Sequence, residues 1–287
     1  MVLVVGVKPY FELIRPPNCA MSGVGAVLAT LVYLEYRVLW SHVVLLVVGF
    51  LTGFALTACA MIVNDLVDIE VDRVNKPWRP LPRGAVSTRR ALALALALGV
   101  LGVLVNTATR NALLVLVALI YGVLGVTYSF MRRRWWSHTL VALSTTGPVV
   151  YGYVAASTPL SKLELAALFS LVVFFATMGR EILKAVQDYR GDAERGYSTL
   201  ATKYGVETAL RAMLATGLTA SLLAAISTAV LRTGLLYKTL ILVTALLYTH
   251  SLLRAYKNPT PLVLEESRKR TLLAMSLGLL AFWLSGL

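Results

Sequence analysis

Charged residues are scarce in this chain: Asp, Glu, Lys and Arg make up 14% of its 287 residues. A soluble domain of that length carries nearer a quarter, and no polar stretch here is long enough to fold alone. Sulfur is scarcer still. The two cysteines, Cys19 and Cys59, each sit inside an apolar run; they exclude a disulfide framework or a cysteine metal cluster and read as packing residues. His42, His138 and His250 are the whole histidine complement; they lie away from the acidic clusters and read as interface residues. The opening MVLVVGVKPYFELIRPPN has no basic leading region and no cleavage site, so it does not read as a signal peptide. KPYFELIR reads instead as a short amphipathic helix along the membrane interface. The alternation of an outer-membrane barrel is missing too, which leaves helices as the way to satisfy the backbone in lipid.

What is abundant is apolar. Hydrophobic residues are 58% of the chain, and runs long enough to cross a bilayer recur from end to end, so the sequence predicts an all-α integral membrane protein. Nine spans are expected, at about 18–34, 42–63, 91–109, 111–131, 137–156, 163–187, 206–231, 236–254 and 270–287. The net charge of +13 would suggest nucleic acid in a soluble protein. Here it indicates basic loops against anionic membrane lipid, with no nucleic acid partner. With the N-terminus in the cytoplasm, only Arg37, Arg110, Lys162, Arg232 and Lys238 of the 27 basic residues fall outside, and only Glu35 and Glu164 of the 14 acids. The positive-inside rule selects that orientation. Charge of both signs is then concentrated on the cytoplasmic side.

Two acidic clusters stand out. In NDLVDIEVD, Asn64, Asp68 and Asp72 are spaced i, i+4, i+8; each step overshoots a full helical turn by about 40°, so the three share one face over roughly 12 Å. In DYRGD, Asp188 and Asp192 repeat the spacing, with Glu181 one to two turns earlier. Like charges at i, i+4 repel, and a carboxylate at mid-bilayer costs roughly 2.5–3.5 kcal/mol even on the lenient scale. A pair of solvated, salt-bridged loops is one account. The other is a cation: oxygen donors without sulfur or imidazole suit a hard ion, and Mg²⁺ keeps waters and bridges to phosphate oxygens. Two clusters on one side of the membrane could hold Mg²⁺ ions that grip a diphosphate.

Basic residues accompany each cluster. Lys76, Arg79 and Arg83 follow the first in a loop stiffened by Pro77, Pro80 and Pro82; Arg190 and Arg195 surround the second; Arg132, Arg133 and Arg134 end the fourth expected span. Cations there can bind the phosphate oxygens a metal leaves free and stabilise a leaving diphosphate, though each is also a possible lipid anchor. Arg15 with Asn18, and Arg180 with Lys184, are candidates for a second anion site, and Arg15 is equally a candidate snorkelling anchor. Tyr121, Tyr128, Phe130, Tyr151, Tyr153, Phe174 and Phe175 are available to line an apolar chamber, or simply to pack.

These motifs resemble the UbiA superfamily of intramembrane prenyltransferases: NDLVDIEVD is similar to its N-D-x-x-D-x-x-x-D motif, DYRGD to its later D-x-x-x-D, RPLPRG to the loop after the first motif, and YSFMRRR to its Tyr-x-x-x-Lys element, with Arg132 where Lys is usual. Within the superfamily, GREILKAVQDYRGD most resembles archaeal digeranylgeranylglyceryl phosphate synthases, with Ala185 and Gln187 where acids are common. The resemblance covers residues 1–287 as one domain. It implies two four-helix bundles and a ninth helix around a central cavity open to lipid. It implies Mg²⁺ held by Asn64, Asp68, Asp72, Asp188 and Asp192, with Tyr128 among the catalytic residues. Phosphate-binding candidates are Arg79, Arg132, Arg133, Lys184, Arg195, Arg15 and Asn18. The implied reaction ionises geranylgeranyl diphosphate and adds its prenyl group to the free hydroxyl of geranylgeranylglyceryl phosphate, a lipid phosphate acceptor, releasing diphosphate on the cytoplasmic side. An aromatic acceptor such as 4-hydroxybenzoate, or a quinone or haem precursor, is the alternative within the fold. A secondary transporter would place its polar groups near mid-span instead.

Overall fold

The computed structural model describes residues 6–131, 134–157 and 162–285, and every regular element among them is helical. Six helices are long and apolar enough to cross a membrane: α3 (Trp40–Val67), α5 (Thr88–Leu104) with the 3-10 turn that extends it to Thr109, α6 (Ala112–Met131), α9 (Leu163–Gln187), α12 (Val206–Val230) and α13 (Leu235–Lys257). They match six of the nine expected spans.

The other three expected spans fall on helices of a different make. The first is α2 (Pro16–Tyr33), whose opening Pro-Pro-Asn dilutes its apolar run. The fifth breaks at Thr146, just ahead of Pro148, into α7 (Ser137–Thr145) and α8 (Gly147–Ala155). Proline cannot donate to the preceding turn and disfavours helix at the residue before it. The ninth lies in α14 (Pro261–Leu284), whose first half carries Glu265, Glu266, Arg268, Lys269 and Arg270.

The chain forms two compact units, residues 1–27 with 39–130, and residues 28–38 with 131–287. In the first, α3 packs along α5. The core is a cluster of Leu13, Cys59, Ile62, Leu81, Val86, Ala91 and Ala95. Leu13 belongs to α1 (Lys8–Ile14), the short helix expected at the N-terminus, which packs on α3 and is fully buried at that residue. The early part of α2 meets α3 at near-backbone distance: a Cβ on Gly53 would come within 2.8 Å of the Ser22 carbonyl. Glycine is what allows that approach. Asn106, fully buried where α5 tightens into its 3-10 turn, donates to Thr52 Oγ1 at 2.9 Å and to the Gly102 carbonyl at 2.9 Å.

The second unit is built on α9, which packs against α12, α7, α8 and α14; α13 packs against α12 and α14. Its main cluster joins Ile182, Leu183 and Val186 of α9 to Leu210 and Met213 of α12 and Tyr248 and Leu252 of α13. A second cluster uses the late part of α2: Ala29, Val32 and Tyr33 pack on Val149, Phe169 and Phe282. Here too a glycine permits contact, since a Cβ on Gly152 would lie 2.6 Å from Ala29.

Candidate functional site

The first motif sits where α3 ends. Asp68 closes α3 and opens the seven-residue α4 (Ile69–Asn75), with φ −95° and ψ 3°. Its own N–H donates to the Asn64 carbonyl at 3.1 Å, the Asp72 N–H donates to the Asp68 carbonyl at 2.8 Å, and the Lys76 N–H donates to the Asp72 carbonyl at 2.8 Å. The i, i+4 ladder of the sequence is thus a ladder of backbone hydrogen bonds that runs straight through the break. Asn64 Nδ2 donates to Asp68 Oδ2 at 3.3 Å. Asp68 and Asp72 are buried, 2% and 4% exposed, whereas Glu70 is exposed and pairs with Arg73 at 2.8 Å.

Asp65, the neighbour of Asn64, is buried as deeply at 2%. It accepts two hydrogen bonds from Arg15 Nη2, at 2.5 Å to Oδ1 and 2.7 Å to Oδ2, and one from Arg79 Nη1 at 3.0 Å. The same Arg79 nitrogen donates to Asp72 Oδ2. Arg15, half-buried, is thus the partner of an interior carboxylate, while Asn18 is exposed at the start of α2. The loop carrying Arg79 is ordered by its own backbone: Arg83 N–H to the Arg79 carbonyl at 3.1 Å, Gly84 N–H to the Leu81 carbonyl at 3.0 Å and Ala85 N–H to the Pro80 carbonyl at 2.9 Å. Leu81 and Val86 are buried beneath it, and Arg83 reaches Glu12 of α1 at 2.6 Å.

The second motif repeats the first locally. Asp188 closes α9 and opens α10 (Tyr189–Glu194) with φ −88° and ψ 4°. The Asp188 N–H donates to the Lys184 carbonyl and the Asp192 N–H to the Asp188 carbonyl, both at 2.9 Å. Its burial differs: Asp188 is exposed and Asp192 half-buried. Two turns back, Glu181, 8% exposed, holds Lys184 Nζ at 2.8 and 2.9 Å and lies 3.5 Å from Arg180. Lys184 is thus already engaged by a carboxylate.

The two departures from the resemblance have local reasons. Ala185 is buried in the unit interior. Gln187 Nε2 donates to Glu265 Oε2 of α14 at 2.8 Å, where an acid would set two carboxylates against each other. Glu265 also accepts from Arg268, and these bonds hold its carboxyl down at about 2.

His138 requires a correction. It does not stand away from the second cluster: on α7 it faces the charges of Glu181 and Lys184 on α9. No local pattern in the sequence marks that approach, because it depends on how α7 folds back on α9. Tyr128 is half-buried near the end of α6. Arg195 caps α10, Arg134 is exposed, and Arg132 and Arg133 lie outside the described residues. Of the aromatic candidates, Tyr153 packs edge-on against Tyr33, Phe174 against Phe175, and Tyr151 is buried, all as packing residues. Phe130 instead lines a half-open apolar groove of about 490 Å³ with Cys59, Val63 and Val67. At about 100° per residue, Cys59 and Val63 lie about 180° and 140° round the helix from Asp68, while Val67 lies about 60° from Asn64.

Among the described residues no three His, Cys, Asp or Glu side chains approach closely enough to hold a metal by themselves. Each motif offers two carboxylates, and the first adds an amide, all of them oxygen donors. That set does not suit a closed protein cage. It suits Mg²⁺, which is bound through one or two carboxylates and completes its shell with water and substrate phosphate.

The UbiA prenyltransferase family pattern matches residues 21–265. Digeranylgeranylglyceryl phosphate synthase of Methanoregula boonei is 34% identical over 220 residues, covering 74% of each chain. The enzyme of the same name from Methanococcus aeolicus is 29% identical over 290 residues, 98% of each. A solved structure of digeranylgeranylglyceryl phosphate synthase superposes with a TM-score of 0.86 at 25% identity over 98% of both chains. A UbiA homolog from Archaeoglobus fulgidus bound to DMAPP and Mg²⁺ superposes with a TM-score of 0.70 at 20% identity, covering 95% of this chain and 98% of that one, a likeness of fold.

Proposed function

Because the chain belongs to the UbiA prenyltransferase family, we propose that it transfers a geranylgeranyl group from geranylgeranyl diphosphate to the free hydroxyl of geranylgeranylglyceryl phosphate. The observation that carries this reading is the twice-used helix break, Asp68 with Asp72 and Asp188 with Asp192, each pair linked by a backbone hydrogen bond across the end of a long apolar helix. The relatives named above support the lipid acceptor.

In this reading Asn64, Asp68, Asp72, Asp188 and Asp192 would hold Mg²⁺ for the prenyl diphosphate. When bound, the metal neutralises the charge of the diphosphate as it leaves. Arg79, fixed beside Asp72, supplies a guanidinium to the phosphate oxygens, and Arg195 with the Arg132–Arg133 pair supplies further cations. The bond from prenyl C1 to the diphosphate oxygen breaks, the acceptor hydroxyl oxygen bonds to C1, and the hydroxyl proton is released. Tyr128 is assigned to the wall facing the allylic cation, where a ring face attracts positive charge. Lys184, held by Glu181, and Arg180 are assigned to the acceptor phosphate. The same reading places residues 1–287 in one functional domain of two four-helix bundles and a ninth helix. It puts the acidic motifs on the cytoplasmic face, where the positive-inside rule sets them.

The test is direct. Purified protein in lipid nanodiscs is given labelled geranylgeranyl diphosphate, Mg²⁺ and either geranylgeranylglyceryl phosphate or 4-hydroxybenzoate. The expected product is the doubly prenylated glyceryl phosphate, identified by mass. Prenylation of the aromatic acid alone would overturn the acceptor, and neither product would overturn the activity.

A further inference from the structure

We propose that Asp65 is a positioning residue: it fixes Arg15 and Arg79 at the head of the acidic ladder and is not itself a ligand of the metal. The proposal rests on the functional reading above and deepens it.

Asp65 is next in sequence to Asn64, yet about 100° further round the helix, at the Asp72 edge of the ladder face. Both of its oxygens are engaged by guanidinium groups: Oδ1 by Arg15 at 2.5 Å and Arg79 at 3.0 Å, Oδ2 by Arg15 at 2.7 Å. A cation placed on either oxygen would face two arginine charges at hydrogen-bond range, in a site where water screens little. Asp65 is therefore closed to Mg²⁺ by its own partners.

The same contacts show what it does. Arg15 arrives from α1, where it takes a left-handed conformation, φ 56° and ψ 67°, at the helix end. That bend turns it onto α3, where Nη1 also meets Met61 Sδ at 3.0 Å. Met61 and Asp65 are one turn apart on one face. Arg79 arrives from the proline-stiffened loop. One buried carboxylate thus ties three segments of chain, and it leaves Arg79 with a nitrogen that reaches Asp72. Without Asp65 the two arginines would repel each other in a confined place, and Arg79 would lose the anchor that aims it. A buried ion pair broken on one side leaves an uncompensated charge, so the effect falls on where the arginines point.

The experiment separates metal from diphosphate. Mn²⁺ stands in for Mg²⁺, and its binding to the intact protein in nanodiscs is followed by electron paramagnetic resonance, alone and with inorganic pyrophosphate. In Asp65→Asn, Mn²⁺ alone should bind as in wild type, while pyrophosphate affinity in the presence of Mn²⁺ falls about tenfold or more, the size typical of lost outer-shell support. The KM for the prenyl diphosphate should rise by more than kcat falls. Asp68→Asn should lose Mn²⁺ itself. Should Asp65→Asn not fold, Arg79→Gln carries the test, because Arg15 still satisfies Asp65: it too should keep Mn²⁺ and weaken pyrophosphate. The double variant Asp65→Asn/Arg79→Gln should bind pyrophosphate no worse than Arg79→Gln alone. Loss of Mn²⁺ in Asp65→Asn, unchanged pyrophosphate affinity, or additive losses in the double variant would each overturn the role given to Asp65. A wild type that binds no pyrophosphate with Mn²⁺ would overturn the functional reading instead.

Discussion

Asp68 and Asp188 stand in the same backbone conformation, within 7° in φ and 1° in ψ, each as the joint between a long apolar helix and a short polar one. Each passes its carbonyl to the amide of an aspartate four residues on. The equivalence is local and chemical: the same residue type, the same break and the same second carboxylate, reached twice in the chain. Asp68 is buried and Asp188 exposed, so their replacements should differ in stability and agree in chemistry.

Asp68→Asn and Asp188→Asn are each expected to lower Mg²⁺-dependent diphosphate release by about 100-fold or more, the scale of losing one preorganised electrostatic group. A coupled pyrophosphatase assay measures it. Asp188→Asn should leave the melting temperature unchanged, while Asp68→Asn should move it. Full activity in both variants would remove the joints from the mechanism.

Chelation provides an independent check. Because neither motif can enclose an ion by itself, metal should leave readily when substrate is absent. EDTA should abolish turnover within the mixing time, and excess Mg²⁺ should restore it fully. Activity that survives prolonged EDTA would contradict a site completed by substrate phosphate.

Glu265 sets an acid-side dependence of stability. Its folded value of about 2 lies below the ordinary 4.5, first through Arg268 and then Gln187. A depressed carboxyl contributes stability that is fully present above its unfolded value and is lost as pH falls through the folded one. Melting temperatures of the wild type should therefore fall between about pH 4.5 and pH 2 more steeply than those of Glu265→Gln. In Gln187→Glu the new carboxylate faces Glu265, so melting should drop at pH 7 and recover toward pH 4. Identical pH profiles for wild type and Glu265→Gln would refute this.

Gly152→Ala should destabilise the second unit by about 1–3 kcal/mol, the usual cost of forcing a methyl group into a packed contact. A Cβ there meets backbone atoms of Ala29 and Thr30 at 2.6 Å, which cannot turn aside as a side chain end can. Denaturant or thermal unfolding in detergent reads it out, and a change under 0.5 kcal/mol, the range of neutral surface substitutions, would count against the close approach of α2 and α8.

The ladder of Asn64, Asp68 and Asp72 was legible in the sequence because it is written in the helical repeat, and the repeat survives the helix break. The six long apolar helices were legible for the same reason: length and composition are local. Where the reading of spans went further than the structure, the cause is also local. Pro148 divides one run, Pro16 and Pro17 dilute another, and the charged stretch Glu265–Arg270 occupies the first half of the last helix. The partners of Asp65 were not legible. Arg15 lies 50 residues away and Arg79 lies 14 away in a loop, and nothing in either neighbourhood announces the other. The approach of His138 to Glu181 was hidden likewise, since it follows from the packing of α7 on α9.

The Arg15–Asp65 pair also bears on how the molecule is made. A chain leaves the ribosome N-terminus first, so Arg15 is already synthesised when α3 carries Asp65 toward the bilayer, whereas Arg79 has still to emerge. The buried carboxylate of that helix thus has its first counter-ion in the chain made before it, and its second in the chain made after.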